Sequence, residues 1–244
     1  MTDWSAGYTR HVFDTLDSTL AEASRMVPDL RGPTWILALE QTAARGRRGR
    51  AWSTPRGNFA ATLIMKRTGS PADAALRSFV ASLALREAFV ALTGREDAFA
   101  LKWPNDVLLN GGKVAGILLE TVGEFLVIGI GVNLAQAPSA AQVEQGAVKP
   151  VSVFGELGLT IDPEAFLDTL AAAYHRLELD YVTYGFSAIR AAWLSHAARL
   201  GETVTARTMR NETVGIFEDV DQNGNLILNT ANGRVAITAA DVYF

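Results

Sequence analysis

The sequence predicts an α+β protein: a mixed, largely antiparallel central sheet flanked by helices, followed by a small SH3-like β-barrel. Three observations carry this. Strand-like runs at 98–103, 106–109, 114–121 and 125–134 follow one another at hairpin spacing, too short for helical crossovers. Asn110-Gly111-Gly112 and Gly123-Glu124 supply the turns between them. Past residues 199–201 the pattern changes to short β-rich runs separated by Asn223-Gly224 and Asn232-Gly233. The predicted domains are therefore 1–198 and 199–244.

In chain order, residues 9–14 read as a strand, and Asp17 or Ser18 caps a helix that ends near Pro28. Residues 34–40 and 58–65 are apolar strands on either side of a basic loop. Pro71 and Asp73 open a long helix to about Leu92, with Ala75, Phe79, Leu83 and Phe89 on one buried face and Gly94 as its stop. Residues 135–149 read as a surface loop, and 163–184 and 186–198 as two helices. The small barrel takes its strands from 203–208, 213–220, 226–230, 234–237 and 242–244.

The 244 residues are 49% apolar, enough for a sizeable core. A net charge of -4 argues against general nucleic-acid binding, which calls for excess positive charge. No cysteine is present, so disulfides, thiolate nucleophiles and thiolate-held metals are excluded. No signal-like N-terminus or membrane-length apolar run is found, and the expected location is the cytoplasm, with no membrane partner. His11, His175 and His196 are too scattered to read as a metal site.

Against this acidic background one segment stands out. Arg45-Gly46-Arg47-Arg48-Gly49-Arg50-Ala51-Trp52 places four arginines within six residues, with interleaved glycines and an indole. Glycines let backbone amides approach a phosphate, guanidiniums offer forked donors, and tryptophan offers a flat face for a base. The loop reads as a mobile anion clamp that closes over a nucleotide. In Lys102-Trp103-Pro104-Asn105-Asp106 the proline forces a bend, expected to expose Asn105 and Asp106; an ordinary turn is the alternative. Lys113 stands at the start of a strand in which Gly116 leaves room for a ligand; a solvated hairpin lysine is the alternative. Gly129 and Gly131 share one strand face ahead of Asn133, marking either open space or a bulge. Asp17-Ser18-Thr19 is either a pocket edge or only a helix cap. Walker, dinucleotide and nucleophile-elbow signatures are absent.

Taken in order, these segments resemble the biotin protein ligase family. The match runs through Asp17-Ser18-Thr19, Glu40-Gln41-Thr42, Arg45 to Trp52, Lys102 to Asp106, Lys113 to Glu120, Gly129 to Asn133 and the terminal barrel. It implies the class II synthetase-like biotin–lipoate ligase fold. It also implies ATP-dependent biotinylation of a lysine on a biotin carboxyl carrier domain through biotinyl-5'-AMP, with biotin and ATP as substrates and Mg2+ as cofactor. The resemblance assigns Ser18, Thr19, Gln41, Arg45, Lys113 and Gly116 to biotin. It assigns Arg47, Arg48, Arg50, Trp52, Asn105, Lys113 and Asn133 to ATP and the adenylate. Lys113, Arg45, Arg47 and Asp106 would be catalytic, Asp106 either orienting the acceptor lysine, taking its proton, acting electrostatically or contacting Lys102 alone. The family includes monomers and homodimers.

Two positions depart from the family pattern. Ala44 stands where the loop usually begins with Gly, and a β-carbon there disfavours a positive φ. Leu20 stands where Asn often follows Ser-Thr. The family's repressor forms carry an N-terminal winged helix; here the first strand begins at about Thr9, so no DNA partner is expected. A lipoate or octanoate ligase or transferase on the same fold is the alternative activity, and a non-catalytic RNA binder a more distant one.

Overall fold

The computed structural model of the protein describes residues 7–139, 148–208 and 211–244. Residues 140–147 of the expected surface loop therefore lie outside the described residues. The larger sheet has seven strands in the order β1-β2-β3-β7-β6-β5-β4. These are β1 (Thr9–Phe13), β2 (Thr34–Ala38), β3 (Phe59–Lys66), β4 (Phe99–Lys102), β5 (Asp106–Leu109), β6 (Gly112–Val122) and β7 (Phe125–Val132). Only β1 and β2 pair in parallel; every other neighbour is antiparallel. This is the mixed sheet that the short connections require.

Alternation along the strands sorts side chains onto two faces. Trp35, Leu37, Phe59, Ala61, Leu63, Ile128, Ile130 and Val132 enter the main core. Helices α3 (Arg77–Thr93), α5 (Pro163–Tyr184) and α6 (Phe186–Leu194) share that core with them. Ile36, Ile64 and Val127 point the other way, against Leu20 and Ala23 of α1 (Thr19–Met26). The second face is covered only in part, and its uncovered half carries the candidate site.

Local chemistry explains the helix ends. Ser18 Oγ accepts from Leu20 N (3.2 Å), capping α1. Ser70 and Asp73 form a reciprocal capping box at α2 (Pro71–Ala75), and Gly94 ends α3 in the left-handed region. The long helix expected from Pro71 is thus two, broken at Leu76. Nor does α3 show a single buried face: Arg77 through Arg86 are all buried. Its polar residues are satisfied internally. Ser82 Oγ donates to Phe79 O and accepts from Trp193 Nε1, Ser78 Oγ donates to Pro104 O, and Arg86 donates to Phe99 O and Glu96 O. A short helix, α4 (Val153–Leu157), capped by Ser152, was not anticipated.

The C-terminal part is a five-stranded antiparallel sheet in the order β11-β10-β9-β8-β12. Its strands are β8 (Thr203–Arg207), β9 (Glu212–Val220), β10 (Leu226–Thr230), β11 (Gly233–Ile237) and β12 (Asp241–Tyr243). Gly224 and Gly233 take the positive φ that their turns need. The sheet is SH3-like but curls without closing: β11 and β12 remain its edges. It docks on the larger unit through Trp103, whose Nε1 donates to Gly224 O at 2.9 Å.

Candidate active site

The floor of the site is made of glycine. Gly116 on β6 and Gly131 on β7 are direct partners in the ladder, on the face away from the main core. A β-carbon on Gly131 would fall 2.4 Å from Trp52 Nε1, and one on Gly116 would meet both Trp52 and Lys113 at 3.4 Å. The space these glycines leave is thus occupied by the chain's own indole. Gly129 does the same for Leu20, whose Cγ lies 2.9 Å from where a β-carbon would stand. Leu20, in the place of the family's frequent Asn, is a packing residue of α1.

Lys113 reaches this floor because of a bulge. The β5–β6 register slips so that Val107 faces Ala115 while Leu108 faces Lys113, leaving Val114 unpaired. Val114 and Ala115 both enter the main core, and Lys113 is turned onto the face of Gly116. Its backbone is held from the other side: Lys113 N donates to Lys149 O (2.8 Å) and Val151 N to Lys113 O (2.9 Å).

The expectation that Pro104 would expose Asp106 is wrong. The bend is there, with a cis Trp103–Pro104 bond, but Asp106 starts an interior strand between β4 and β6 and is only 8% exposed. Its carboxylate lies 2.6 Å from Lys113 Nζ and 3.7 Å from Lys102 Nζ, so contact with Lys102 alone is ruled out. Burial alone would push the Asp106 carboxyl up; the two ammoniums outweigh it and hold it below the ordinary 3.8. Burial pushes the Lys102 ammonium down, against the pull of Asp106.

The basic loop is a two-stranded excursion. Gln41 bridges Thr54, Arg45 bridges Ala51, and Trp52 N donates to Ala44 O at 3.0 Å. Positive φ falls on Arg48 and Gly49 and not on Ala44, so the β-carbon at 44 meets no backbone conflict. Arg45 makes a forked pair with Glu120 (2.5 and 2.8 Å). Arg47 donates to Asn105 Oδ1 at 3.2 Å, while Asn105 Nδ2 donates to Ile117 O. Lys113 Nζ stands 5.7 Å from the centre of the Trp52 ring.

At the α1 end the lining is neutral and polar. Gln41 Oε1 accepts from Thr19 N (2.8 Å) and Thr19 Oγ1 (3.1 Å), and Gln41 Nε2 donates to Thr54 Oγ1 (3.0 Å). Ser18 is therefore both cap and cavity wall. Asn133 Nδ2 donates to Val151 O, while its buried Oδ1 has no hydrogen-bond partner among the described residues.

These groups line one cavity of about 1040 Å3. Of the site residues read from the sequence, Ser18, Thr19, Gln41, Arg45, Arg47, Arg50, Trp52, Asn105, Asp106, Lys113, Gly116 and Asn133 all lie on its wall. Arg48 does not; its guanidinium turns to Asp241 (2.6 Å) of the C-terminal sheet. Lys102, Thr54 and Asp241 also line the cavity and were not foreseen. Asp241 carried no sequence signal, being one acidic residue in a β-rich tail almost 200 positions from the loop.

Comparison with known proteins agrees with this geometry. Residues 12–133 match the biotin/lipoate A/B protein ligase family, and residues 200–244 match the biotin protein ligase C terminal domain. A biotin–[acetyl-CoA-carboxylase] ligase of Paracoccus denitrificans is 55% identical over 233 residues, covering 93% of this chain and 97% of that protein. The bifunctional ligase/repressor BirA of Bacillus subtilis is 31% identical over 240 residues, 94% of this chain and 72% of the relative. Among solved structures, the biotin protein ligase from Aquifex aeolicus in complex with biotin and ATP has the same fold. Its TM-score is 0.84 at 22% identity, with 96% of this chain and 97% of that one covered.

Proposed function

This chain belongs to the biotin/lipoate A/B protein ligase family, and we infer that it is a biotin–[acetyl-CoA-carboxylase] ligase. It joins biotin to a lysine of a biotin carboxyl carrier domain, with ATP as co-substrate and biotinyl-5'-AMP as intermediate. The observation that carries this reading is the shared cavity. A cationic end built from Lys113, Arg45 and Arg47 adjoins a neutral polar end built from Ser18, Thr19 and Gln41, with the Trp52 indole alongside Lys113. Residues 1–198 are assigned to catalysis and 199–244 to a supporting domain.

In the first half-reaction a carboxylate oxygen of biotin attacks the α-phosphorus of ATP. The bond to the bridging oxygen breaks, and pyrophosphate leaves. Two anions must be held together while negative charge grows on the phosphorus oxygens, so fixed cations are the main requirement. Lys113 and Arg47 meet it, and Arg45 exchanges Glu120 for the biotin carboxylate. Ser18, Thr19 and Gln41 offer donors and acceptors to the urea ring, and Gly116 lets the tail approach backbone. Trp52 and Asn133, with its unused acceptor, serve adenine. Arg50 and Asn105 complete the nucleotide side, and Arg48 acts through Asp241 rather than on ATP. Closure of the loop would exclude water from a labile mixed anhydride.

In the second half-reaction the carrier amine attacks the acyl carbon. A C–N bond forms, the C–O bond to phosphate breaks, AMP leaves, and the amine's proton passes to solvent. A lysine starts out protonated at neutral pH. Asp106, held below its ordinary pKa, is a weak base, which favours an electrostatic, orienting role over proton abstraction. Among the described residues no group of three or more His, Asp or Glu side chains could hold a metal. The wall of the cavity suits Mg2+ only as part of the Mg–ATP substrate.

No helix among the described residues is long and apolar enough to cross a membrane. ATP as substrate favours the cytoplasm. The test is exchange of labelled pyrophosphate into ATP, dependent on biotin. Absence of exchange at saturating biotin and magnesium would overturn the ligase, and calorimetry showing lipoate bound more tightly than biotin would overturn the choice of acid.

A further inference from the structure

The tip of the basic loop has nothing apolar to bury. Between Arg45 and Ala51 it contains only arginine and glycine, and Ala51 itself is exposed. Hydrophobic packing cannot hold such a segment over a cavity, so its position depends on charge. The charge comes from the other domain. Both oxygens of Asp241 are engaged by the loop: Oδ2 by Arg48 Nη1 (2.6 Å) and Arg50 Nη2 (3.1 Å), and Oδ1 by Arg47 Nη1 (3.7 Å). Arg47 Nη2 also donates to the neighbouring Ala240 O at 3.4 Å.

The carboxylate is itself fixed. Asp241 begins β12, is paired with Arg207 of β8, and stands between the buried Ala240 and Val242. Its side chain is 18% exposed, less than any of the three arginines it gathers. The C-terminal sheet that carries it is tied to the Trp103 turn, two residues before the Asn105 that receives Arg47. Arg47 is thus held from both domains at once, and two further arginines brace it through one shared acceptor.

We propose that Asp241 is a positioning residue for adenylate formation: the C-terminal domain uses this one carboxylate to seat the loop's arginines over the cavity. The proposal rests on the ligase reading given above. It opposes the other reading of the same contact, in which Asp241 competes with the triphosphate for the arginines. The two differ in sign. Removing a seat weakens ATP, whereas removing a competitor strengthens it.

The test uses the full chain with Asp241→Asn, which keeps the shape and removes the charge, and Asp241→Glu, which keeps the charge. Trypsin cleavage after Arg47, Arg48 and Arg50 reads the loop directly, without activity. KM for ATP and escape of the adenylate onto free amines read its function. Three half-exposed pairs acting together correspond to roughly tenfold in an equilibrium. We expect Asp241→Asn to speed cleavage and raise the ATP KM by about that factor, with kcat within about threefold and more adenylate escaping. Asp241→Glu should return both readings towards native. Arg48→Gln, outside the cavity wall, removes one arm and should give part of the shift even if the aspartate variant folds poorly.

Unchanged or lower ATP KM in Asp241→Asn overturns the proposal. So does faster cleavage with normal KM and retention, which would make Asp241 merely structural. If the native protein forms no biotinyl-adenylate while its loop still shows Asp241-dependent protection, the ligase reading falls and the interdomain clasp stands.

Discussion

Lys113→Gln is the most direct probe of how the cavity would activate biotin. The substitution keeps polarity, shortens the side chain by one bond and removes one positive charge. A unit charge about 4 Å from the developing phosphorane is worth roughly 4 kcal/mol at an effective dielectric near 20. Part of that is already spoken for, because Asp106 lies 2.6 Å from the same ammonium and cancels some of its field. A net loss of about 2–3 kcal/mol remains, on the order of a hundredfold in adenylation rate. Folding should suffer little, since Lys102 stays 3.7 Å from Asp106 and keeps the buried carboxylate paired. Biotin-dependent pyrophosphate exchange measures the first quantity and a calorimetric melt the second. Turnover within about threefold of native, at an unchanged melting temperature, would refute an electrostatic role for Lys113.

Gly131→Ala places a methyl 2.4 Å from Trp52 Nε1 in a backbone that accepts alanine. The indole must leave the glycine floor, and with base stacking worth about 1–3 kcal/mol the ATP KM should rise about fivefold or more; tryptophan fluorescence and steady-state kinetics check this. Arg47→Gly removes the contacts to Asn105 and Ala240, so adenylate should escape and label bystander lysines; unchanged leakage means that the loop is no lid. Glu178→Ala strands Arg77, whose side chain is 3% exposed, between α3 and α5. About 3 kcal/mol should be lost, seen as a lower melting temperature with normal activity per folded molecule. For Asp106 the folded pKa lies below the unfolded value, so its stabilisation is complete above about pH 3.8 and is lost as pH falls through the folded value. The urea midpoints of native protein and Asp106→Asn should therefore converge below that pH, and a gap that stays constant would contradict the pairing.

What was legible in the sequence is what is local. Hairpin spacing and Asn-Gly turns decide strand order between neighbours, and the arginine–glycine–tryptophan loop is contiguous, so its chemistry could be read without a fold. Pairings between distant segments were not legible. Gly116 and Gly131 were each visible as gaps, but only the β6–β7 register makes them one floor. Alternation counted from Gly116 puts Lys113 in the core; the bulge at Val114, which no residue type announces, reverses it. Asp106 was misjudged because the bend at Pro104 was expected to leave it exposed at the sheet's end, whereas the strand it begins is an interior one between β4 and β6. In α3 the hidden term was polar satisfaction: Ser78, Ser82 and Arg86 are buried because backbone carbonyls accept from them and Trp193 Nε1 donates to Ser82 Oγ.

The carboxylates around the cavity have a common logic. Arg45, Arg47, Arg50, Lys102 and Lys113 on its wall, with Arg48 just outside it, would repel one another by about 3 kcal/mol per pair at roughly 6 Å and an effective dielectric near 20. Three carboxylates offset them: Glu120 beside Arg45, Asp241 shared by Arg47, Arg48 and Arg50, and Asp106 shared by Lys113 and Lys102. At Arg45 an anion exchanges with Glu120, whereas Asp241 keeps its hold on Arg47, Arg48 and Arg50 and aims them at the ligand. A molecule carrying several negative oxygens can meet more than one of these cations at once, so the network discriminates by charge number. This accounts for how an arginine-dense loop can stay folded in a protein of net charge -4 and yet favour a polyphosphate over the monovalent anions that surround it.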